Sequence, residues 1–280
     1  MESKLLLILI PVYKELEKLS SLEKKSIKNT LLQFKESHSV GLLKSSLIIN
    51  KSYNDFFEYQ FLDFEFPFST WGEYNALLKD VFFYKNLYPY KYLLIVQTDA
   101  YVFSTDLSEF YQYDYVGAPW ERNSLKYIKG RVGNGGFSLR NIETVTSVLQ
   151  SKKRMFSFRS LLHLNFKHTY KFGSMQRLNG FKKFTTYQII TLISKSFYQF
   201  ISVNSFRNAY LFESLMEDTL YGVLVPNKFS SFIVPDVEIA VKFSMDENPL
   251  FFYQMNNNRL PLGCHAFIKN YKIFWFKYIN

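Results

Sequence analysis

Residues 92–103 read YLLIVQTDAYVF. Five apolar residues in a row, three of them β-branched or aromatic, are what a strand covered on both faces requires. The run stops at a polar triplet, Gln97, Thr98 and Asp99. A strand of this kind belongs to a largely parallel sheet with helices on both sides. In open sheets of that class ligands collect beyond the carboxyl ends of the strands, so Asp99 is a candidate cleft residue. The competing reading is an aspartate that only caps whatever follows it.

The chain upstream supports the sheet. Residues 5–11, LLLILIP, repeat the pattern of a short, continuously apolar strand. Ser20 followed by Glu23 is a capping-box spacing and predicts a helix running to about Ser37. Further strands are expected around Val40–Leu43 and Phe61–Phe66, with one or two helical turns over Tyr53–Tyr59. Apolar residues at helical spacing over Trp71–Leu87 lead into Tyr92. Strand and helix alternating in this order predict an α/β fold with a mostly parallel sheet. No internal repeat and no Gly/Ser linker interrupts the chain, so residues 1–280 are expected to form a single Rossmann-like domain.

One stretch departs from the rest. Residues 151–212 hold eleven Lys and Arg and no Asp or Glu, in a chain with 24 acidic residues and a net charge of +10. This asymmetry marks a basic, helical insert. Its cations are interleaved with Phe, Tyr, Leu and Ile, which suits contact with anionic lipid headgroups. Lys152, Lys153, Arg154, Lys182 and Lys183 are the expected membrane contacts; the plainer reading is a solvated helical hairpin. No nucleic-acid motif accompanies the charge, so a nucleic-acid partner is not expected. Cys264 is the single cysteine, which agrees with a reducing compartment. The longest aliphatic run is far shorter than the roughly 20 residues a spanning helix needs, and no cleavage site follows it. A cytoplasmic protein, peripheral at the inner face of the membrane, is therefore expected.

Downstream of Asp99 come YDYVGAPW (113–120) and GRVGNGGFSLR (130–140). Gly133, Asn134, Gly135 and Gly136 predict a turn with positive φ and a close backbone approach to a ligand; a plain Asn-Gly hairpin is the alternative. The glycine order fits neither a P-loop nor a dinucleotide fingerprint. Glu217 and Asp218 are adjacent carboxylates: either a helix N-terminus or a general base beside a hydroxyl. His265, in PLGCHAF, sits in a Pro/Gly-flanked loop that suits a ligand. The aromatic end YKIFWFKYIN is expected to pack on the domain.

In their order, IPVYKE, EYNALL, YLLIVQTDAYVF, YDYVGAPW, GNGGFSLR, a late Glu-Asp and PLGCHAF resemble a family of bacterial glycosyltransferase-like proteins with a GT-A layout. The resemblance covers residues 5–150 and about 213–276 and leaves the insert out. More distantly the order is similar to the fringe and β-1,3-galactosyltransferase group, which has a strand-end acidic motif, a glycine-rich strand, a Glu-Asp pair and a late histidine. Where GT-A enzymes carry Asp-x-Asp, this chain has Gln97, Thr98 and Asp99, so only the last carboxylate is kept. The resemblance implies Asp99 and His265 as ligands of Mn²⁺ or Mg²⁺, with a donor diphosphate completing the shell. It implies Asp218 as the base, with Glu217 as fallback, in an inverting transfer. Tyr13, Tyr74, Asn75, Gln97 and Thr98 would then contact a nucleotide-sugar donor, first of all a UDP-sugar. Trp120 and Gly133–Gly136 would face a glycan or lipid-linked acceptor, in bacterial surface polysaccharide or lipopolysaccharide synthesis. Two other classes are kept open: a glycoside hydrolase pairing Asp99 with Asp218, and a non-catalytic basic membrane-binding module.

Overall fold

The computed structural model describes residues 4–45, 48, 50–120, 132–172, 177–178, 181–182, 185–269 and 271–279; nothing is said of the side chains at 50, 167–172, 177–178 and 181–182. Its centre is a six-stranded sheet. β1 (Lys4–Val12) leads through α1 (Ser21–Phe34) to β2 (Ser39–Ser45), and α2 (Asn50–Phe57) leads to β3 (Leu62–Phe66). Two short helices, α3 (Trp71–Leu77) and α4 (Val81–Lys85), precede β4 (Tyr90–Val96). β5 (Tyr101–Val102), β6 (Tyr115–Val116) and β7 (Phe137–Asn141) follow, and α5 (Ile142–Gln150) continues directly from β7.

The strand order is β3-β2-β1-β4-β7-β6. Strands β1 to β4 are parallel, while β7 runs antiparallel to both β4 and β6. The sheet is therefore mostly parallel, as expected. The chain winds outward from β1 through β2 to β3 and then returns to place β4 on the other side of β1. The carboxyl ends of β1 and β4 thus flank the switch point where such sheets open a crevice.

Alternation along the strands divides the core. Leu7 and Leu9 of β1 join Leu93 and Ile95 of β4 on one face; Leu6, Ile8, Ile10 and Val12 join Tyr92, Leu94 and Val96 on the other. Each fully buried aliphatic contributes about 1.5–3 kcal/mol, against about 1 kcal/mol for a cap. Two-sided burial, more than capping, therefore fixes these strands. The capping box is nonetheless present: Ser20 accepts from Glu23 N, and the Glu23 carboxylate accepts from Ser20 N.

Two elements differ from expectation. The helix expected over Trp71–Leu87 breaks between Leu77 and Val81. Lys79 is fully buried there, donating to the carbonyls of Phe212 and Leu215, and Asp80 caps the new helix by accepting from Phe82 N. α1 ends at Phe34, a turn before Ser37. The insert is built mainly from α6 (Phe158–Phe172) and α7 (Thr186–Ser202), with a two-stranded ribbon between them, β8 (Arg177–Leu178) and β9 (Phe181–Lys182). Among the described residues no helix is long and apolar enough to cross a membrane.

Candidate active site

A second, three-stranded sheet gathers the first cluster. β10 (Ser244–Met245) pairs in parallel with β11 (Gly263–Cys264), and β11 pairs antiparallel with β5. Met245, Cys264 and Tyr101 stand side by side in that register. The residues at the same end are therefore Asp246, His265 and, one turn before β5, Asp99. His265 Nε2 lies 3.2 Å from Asp99 Oδ1 and 3.1 Å from Gln97 Oε1. On the other side of the ring, Nδ1 faces Asp246 Oδ1 at 3.6 Å, too long for a hydrogen bond but close enough for an ion pair. Lys269 Nζ meets Asp99 Oδ2 at 2.8 Å.

Charge governs the protonation of this cluster. Burial would lower the His265 pKa, but the carboxylates of Asp246 and Asp99 outweigh it and raise it to about 9. Burial would raise the Asp99 carboxyl, but His265 and Lys269 together hold it well below the usual carboxylate range.

The donor set fits a divalent cation with shared ligands. As it stands the Nε2–H of His265 donates toward Gln97 Oε1 and Asp99 Oδ1, so a cation at Nε2 would have to displace that proton, with Asp246 behind Nδ1 orienting the ring. The buried Nδ1 and Asp246 Oδ1 have no hydrogen-bond partner other than this mutual approach. One carboxylate, one imidazole and one amide oxygen suit Mn²⁺ or Mg²⁺. Among the described residues no group of three or more His, Cys, Asp or Glu could hold a metal ion. Further ligands would have to come with a substrate.

The glycine turn joins this cluster to a second one. Gln97 N donates to Gly136 O at 2.8 Å, which brings the turn to the carboxyl end of β4. Of the four residues expected to allow positive φ, Asn134 takes it, at 59°, and the three glycines do not. What the glycines supply is room. A Cβ on Gly136 would sit 2.2 Å from the His265 ring, and one on Gly135 would sit 1.5 Å from Glu217 Oε1. Asn134 ties the sides together, its Nδ2 donating to Asp246 Oδ2 and its Oδ1 accepting from Gly136 N at 3.0 Å.

Glu217 is buried and held from two directions. Its Oε2 accepts from Arg140 Nη2 at 2.8 Å, and its backbone N donates to Asn75 Oδ1 at 2.8 Å. Arg140 is wholly enclosed. It also donates to Tyr84 Oη at 2.8 Å and lies over the rings of Tyr115 and Tyr221. Burial pushes the Glu217 carboxyl up to about 7 even though Arg140 opposes it. Lys79, brought down to about 7 by burial against the pull of Glu217 and Glu213, braces the preceding loop through the Phe212 and Leu215 carbonyls. Asp218 is the second residue of the short helix Glu217–Thr219, where its Oδ1 accepts from Thr219 N at 2.6 Å. Burial raises its carboxyl too, against the hydrogen bonds from Thr219.

A cleft of about 150 Å³ is lined by residues of both clusters, among them Gln97, Gly135, Glu217, Asp218 and His265, with Tyr74 and Trp71 at its side. That is below the roughly 300 Å³ usual for a whole organic ligand, so it suits one portion of a substrate whose remainder extends past the rim. Tyr13, at the end of β1, packs edge-on against Tyr74 and Phe68 and stays partly exposed. Tyr74 carries a buried hydroxyl with no hydrogen-bond partner.

Other expected contacts have different employment. Asn75 lines the cleft, but its amide is used inside the protein, Nδ2 donating to Leu215 O and Oδ1 accepting from Glu217 N. Thr98 turns to Glu23 of α1 at 3.4 Å. Trp120 lays its indole over Gly133. Lys152, Lys153 and Arg154 are exposed, with Lys153 over the Phe229 ring and Arg154 over Phe200, each at 4.8 Å. The side chain of Lys182 and all of Lys183 lie outside the described residues.

Asp246, Arg140 and Lys269 were not found by reading the sequence. Arg140 ends the apolar strand string FSLR, and Asp246 opens an acidic pair in MDEN; those were the signals available.

Among curated proteins none matches this chain. A glycosyltransferase from Streptococcus pneumoniae TIGR4, GlyE, is similar at 12% identity and a TM-score of 0.41, over 99% of this chain and 60% of that one. The chain thus spans less than two thirds of that protein's length. A glycosyltransferase involved in glycosylation of the major capsid of PBCV-1 is similar at 11% identity and a TM-score of 0.40, over 99% and 98% of the two chains. At such values neither likeness bears on chemistry, and neither concerns the fringe and β-1,3-galactosyltransferase group. The model of one protein family matches residues 56–265, three quarters of the sequence. The chain belongs to that family, DUF5672, described as a protein of unknown function.

Proposed function

We propose that this protein is a glycosyltransferase that moves a sugar from a nucleoside diphosphate donor to an acceptor hydroxyl. The observation that carries the reading is the meeting of two unlike carboxylate clusters across one glycine turn. On one side Asp99 is kept ionised beside an oriented imidazole. On the other, Asp218 and Glu217 have raised pKa values. Group transfer from a diphosphate needs this division: charge stabilisation at the leaving group and a proton acceptor at the attacking hydroxyl.

Asp99 and His265, with Gln97, would hold Mn²⁺ or Mg²⁺ on the donor side. When bound, such a cation supplies Lewis-acid stabilisation of the departing diphosphate. Asp246, facing Nδ1, would keep a proton on that nitrogen when the cation takes the place of the proton on Nε2. Tyr13 and Tyr74, beside the switch point, offer an aromatic wall for a nucleobase or sugar, UDP-sugars being the first donors to try. Asp218 takes the proton of the acceptor hydroxyl; its raised pKa makes it a better base than an ordinary aspartate, and direct attack inverts the anomeric centre. Glu217, neutralised by Arg140, is a positioning residue. The acceptor enters over Trp120 and the 133–136 turn, in keeping with a glycan or lipid-linked acceptor of bacterial surface-polysaccharide or lipopolysaccharide synthesis.

A hydrolase pairing Asp99 with Asp218 is less well supported. Two cationic partners draw charge from Asp99, which makes it a poor nucleophile or base. Incubation with UDP-sugars without acceptor separates the readings. The transferase should release UDP slowly with Mn²⁺ and stop in excess EDTA; glycan hydrolysis that persists in EDTA would favour the hydrolase.

A further inference from the structure

α7 turns its apolar side outward. Ile190, Ile193, Phe197 and Ile201 recur at three- and four-residue spacing and form one stripe. All four are exposed, Ile190 by 58% and Ile201 by 61%, and Tyr187 and Tyr198 flank them, exposed as well. The side that packs on α6 sets polar groups beside Leu192 and Phe200. There Asn165 Nδ2 donates to Ser196 Oγ at 3.0 Å and to Gln199 Oε1 at 2.6 Å, and Ser196 Oγ donates back to Leu192 O. Amide and hydroxyl groups inside with aliphatic groups outside reverse the arrangement that water selects. Helices that meet lipid are packed in this way, through small and polar residues.

Charge identifies what the stripe meets. Residues 151–212 contain eleven cations and no acidic residue. Lys152, Lys153, Arg154, Lys195 and Arg207 are exposed. A second copy of the chain docking through α7 would set this acid-free surface against itself, which like-charge repulsion opposes. An anionic bilayer satisfies both features at once. The helix, of 17 residues, is not of the length and apolarity that cross a membrane, so it would lie along the surface.

We propose that α7 beds in the headgroup region of an anionic bilayer. The Ile190–Ile201 stripe reaches the acyl boundary, and the cations of the insert add attraction to the lipid phosphates. This goes beyond attraction by charge alone, because part of the binding is apolar and is not screened by salt. It rests on no assumption about the cleft or its reaction.

The test is flotation of the full chain with vesicles of phosphatidylcholine alone or with about 30% phosphatidylglycerol. The wild type should bind the anionic vesicles and retain part of that binding in roughly 0.5 M salt. The triple variant Ile190→Gln, Phe197→Gln, Ile201→Gln should bind at least about tenfold more weakly with an unchanged thermal melt. A second readout uses Ile193→Cys labelled with an environment-sensitive dye, selective because Cys264 is buried. Its emission should shift to the blue on anionic vesicles. Undiminished binding by the triple variant, or no shift from the dye, would overturn the proposal. So would a wild-type dimer that the triple variant dissolves, with no vesicle binding by either.

Discussion

Replacing Arg140 with Met should destabilise the protein by about 3–5 kcal/mol, and the loss should depend on pH. Met fills much of the same space, so the effect is electrostatic before it is steric. It leaves Glu217 buried without its guanidinium partner at 2.8 Å and Tyr84 Oη without its donor. Glu217 already titrates near 7 because of burial, with Arg140 opposing that shift; without Arg140 it goes higher. Between the unfolded carboxyl value and that raised value the native state binds the extra proton, so stability falls as pH rises through the window. The penalty in Arg140→Met should therefore be smaller at about pH 5 than at about pH 8, where the carboxylate must be charged. Glu217→Gln inverts the problem: it strands Arg140, which cannot shed its charge, and removes the titrating group, so its own stability should stay flat while its penalty against the wild type shrinks from about pH 5 to about pH 8. Urea denaturation of both variants at the two pH values measures this. Equal, pH-independent losses would mean that the pair is not the anchor of the 215–218 loop.

Asp218→Asn should lower turnover roughly 10²–10⁴-fold with donor affinity nearly unchanged. The substitution is a clean one here. Asp218 Oδ1 accepts from Thr219 N, and the asparagine carbonyl oxygen can keep that bond, so the local backbone stays in place. What disappears is the ability to accept a proton. Steady-state kinetics with a responsive donor and acceptor would show a fall in kcat at constant KM for the donor. Should Asp218→Asn stay active while a folded Glu217→Gln is dead, the two carboxylates exchange roles.

The parallel sheet was legible because burial on both faces writes itself into consecutive residues, as in LLLILIP and YLLIV. The start of α1 was legible because a capping box is local. What reading missed is non-local. The break after Leu77 follows from Lys79 reaching the Phe212 and Leu215 carbonyls, more than 130 positions along the chain. No periodicity records that. Asp246 comes beside His265 only because β10 and β11 pair side by side, and Arg140 reaches Glu217 only because β7 runs antiparallel to β4. Gly135 and Gly136 are expected to let a ligand come close; the groups that stand against them in the fold are Glu217 and His265, and the positive φ belongs to Asn134. Asp99 and His265, 166 positions apart in the sequence, are brought to 3.2 Å; the spacing alone could not have placed them together.

The central claim is a donor-diphosphate site at Asp99 and His265, and calorimetric titration of nucleoside diphosphates tests it most directly. UDP, GDP, ADP and CDP are titrated with and without Mn²⁺ into the wild type and into Asp99→Ala and His265→Ala. At least one diphosphate, UDP first, should bind only with the divalent cation, and each substitution should abolish that binding while the thermal melt stays cooperative. Binding that is indifferent to Mn²⁺ and survives Asp99→Ala, or no binding of any diphosphate under either condition, would contradict it.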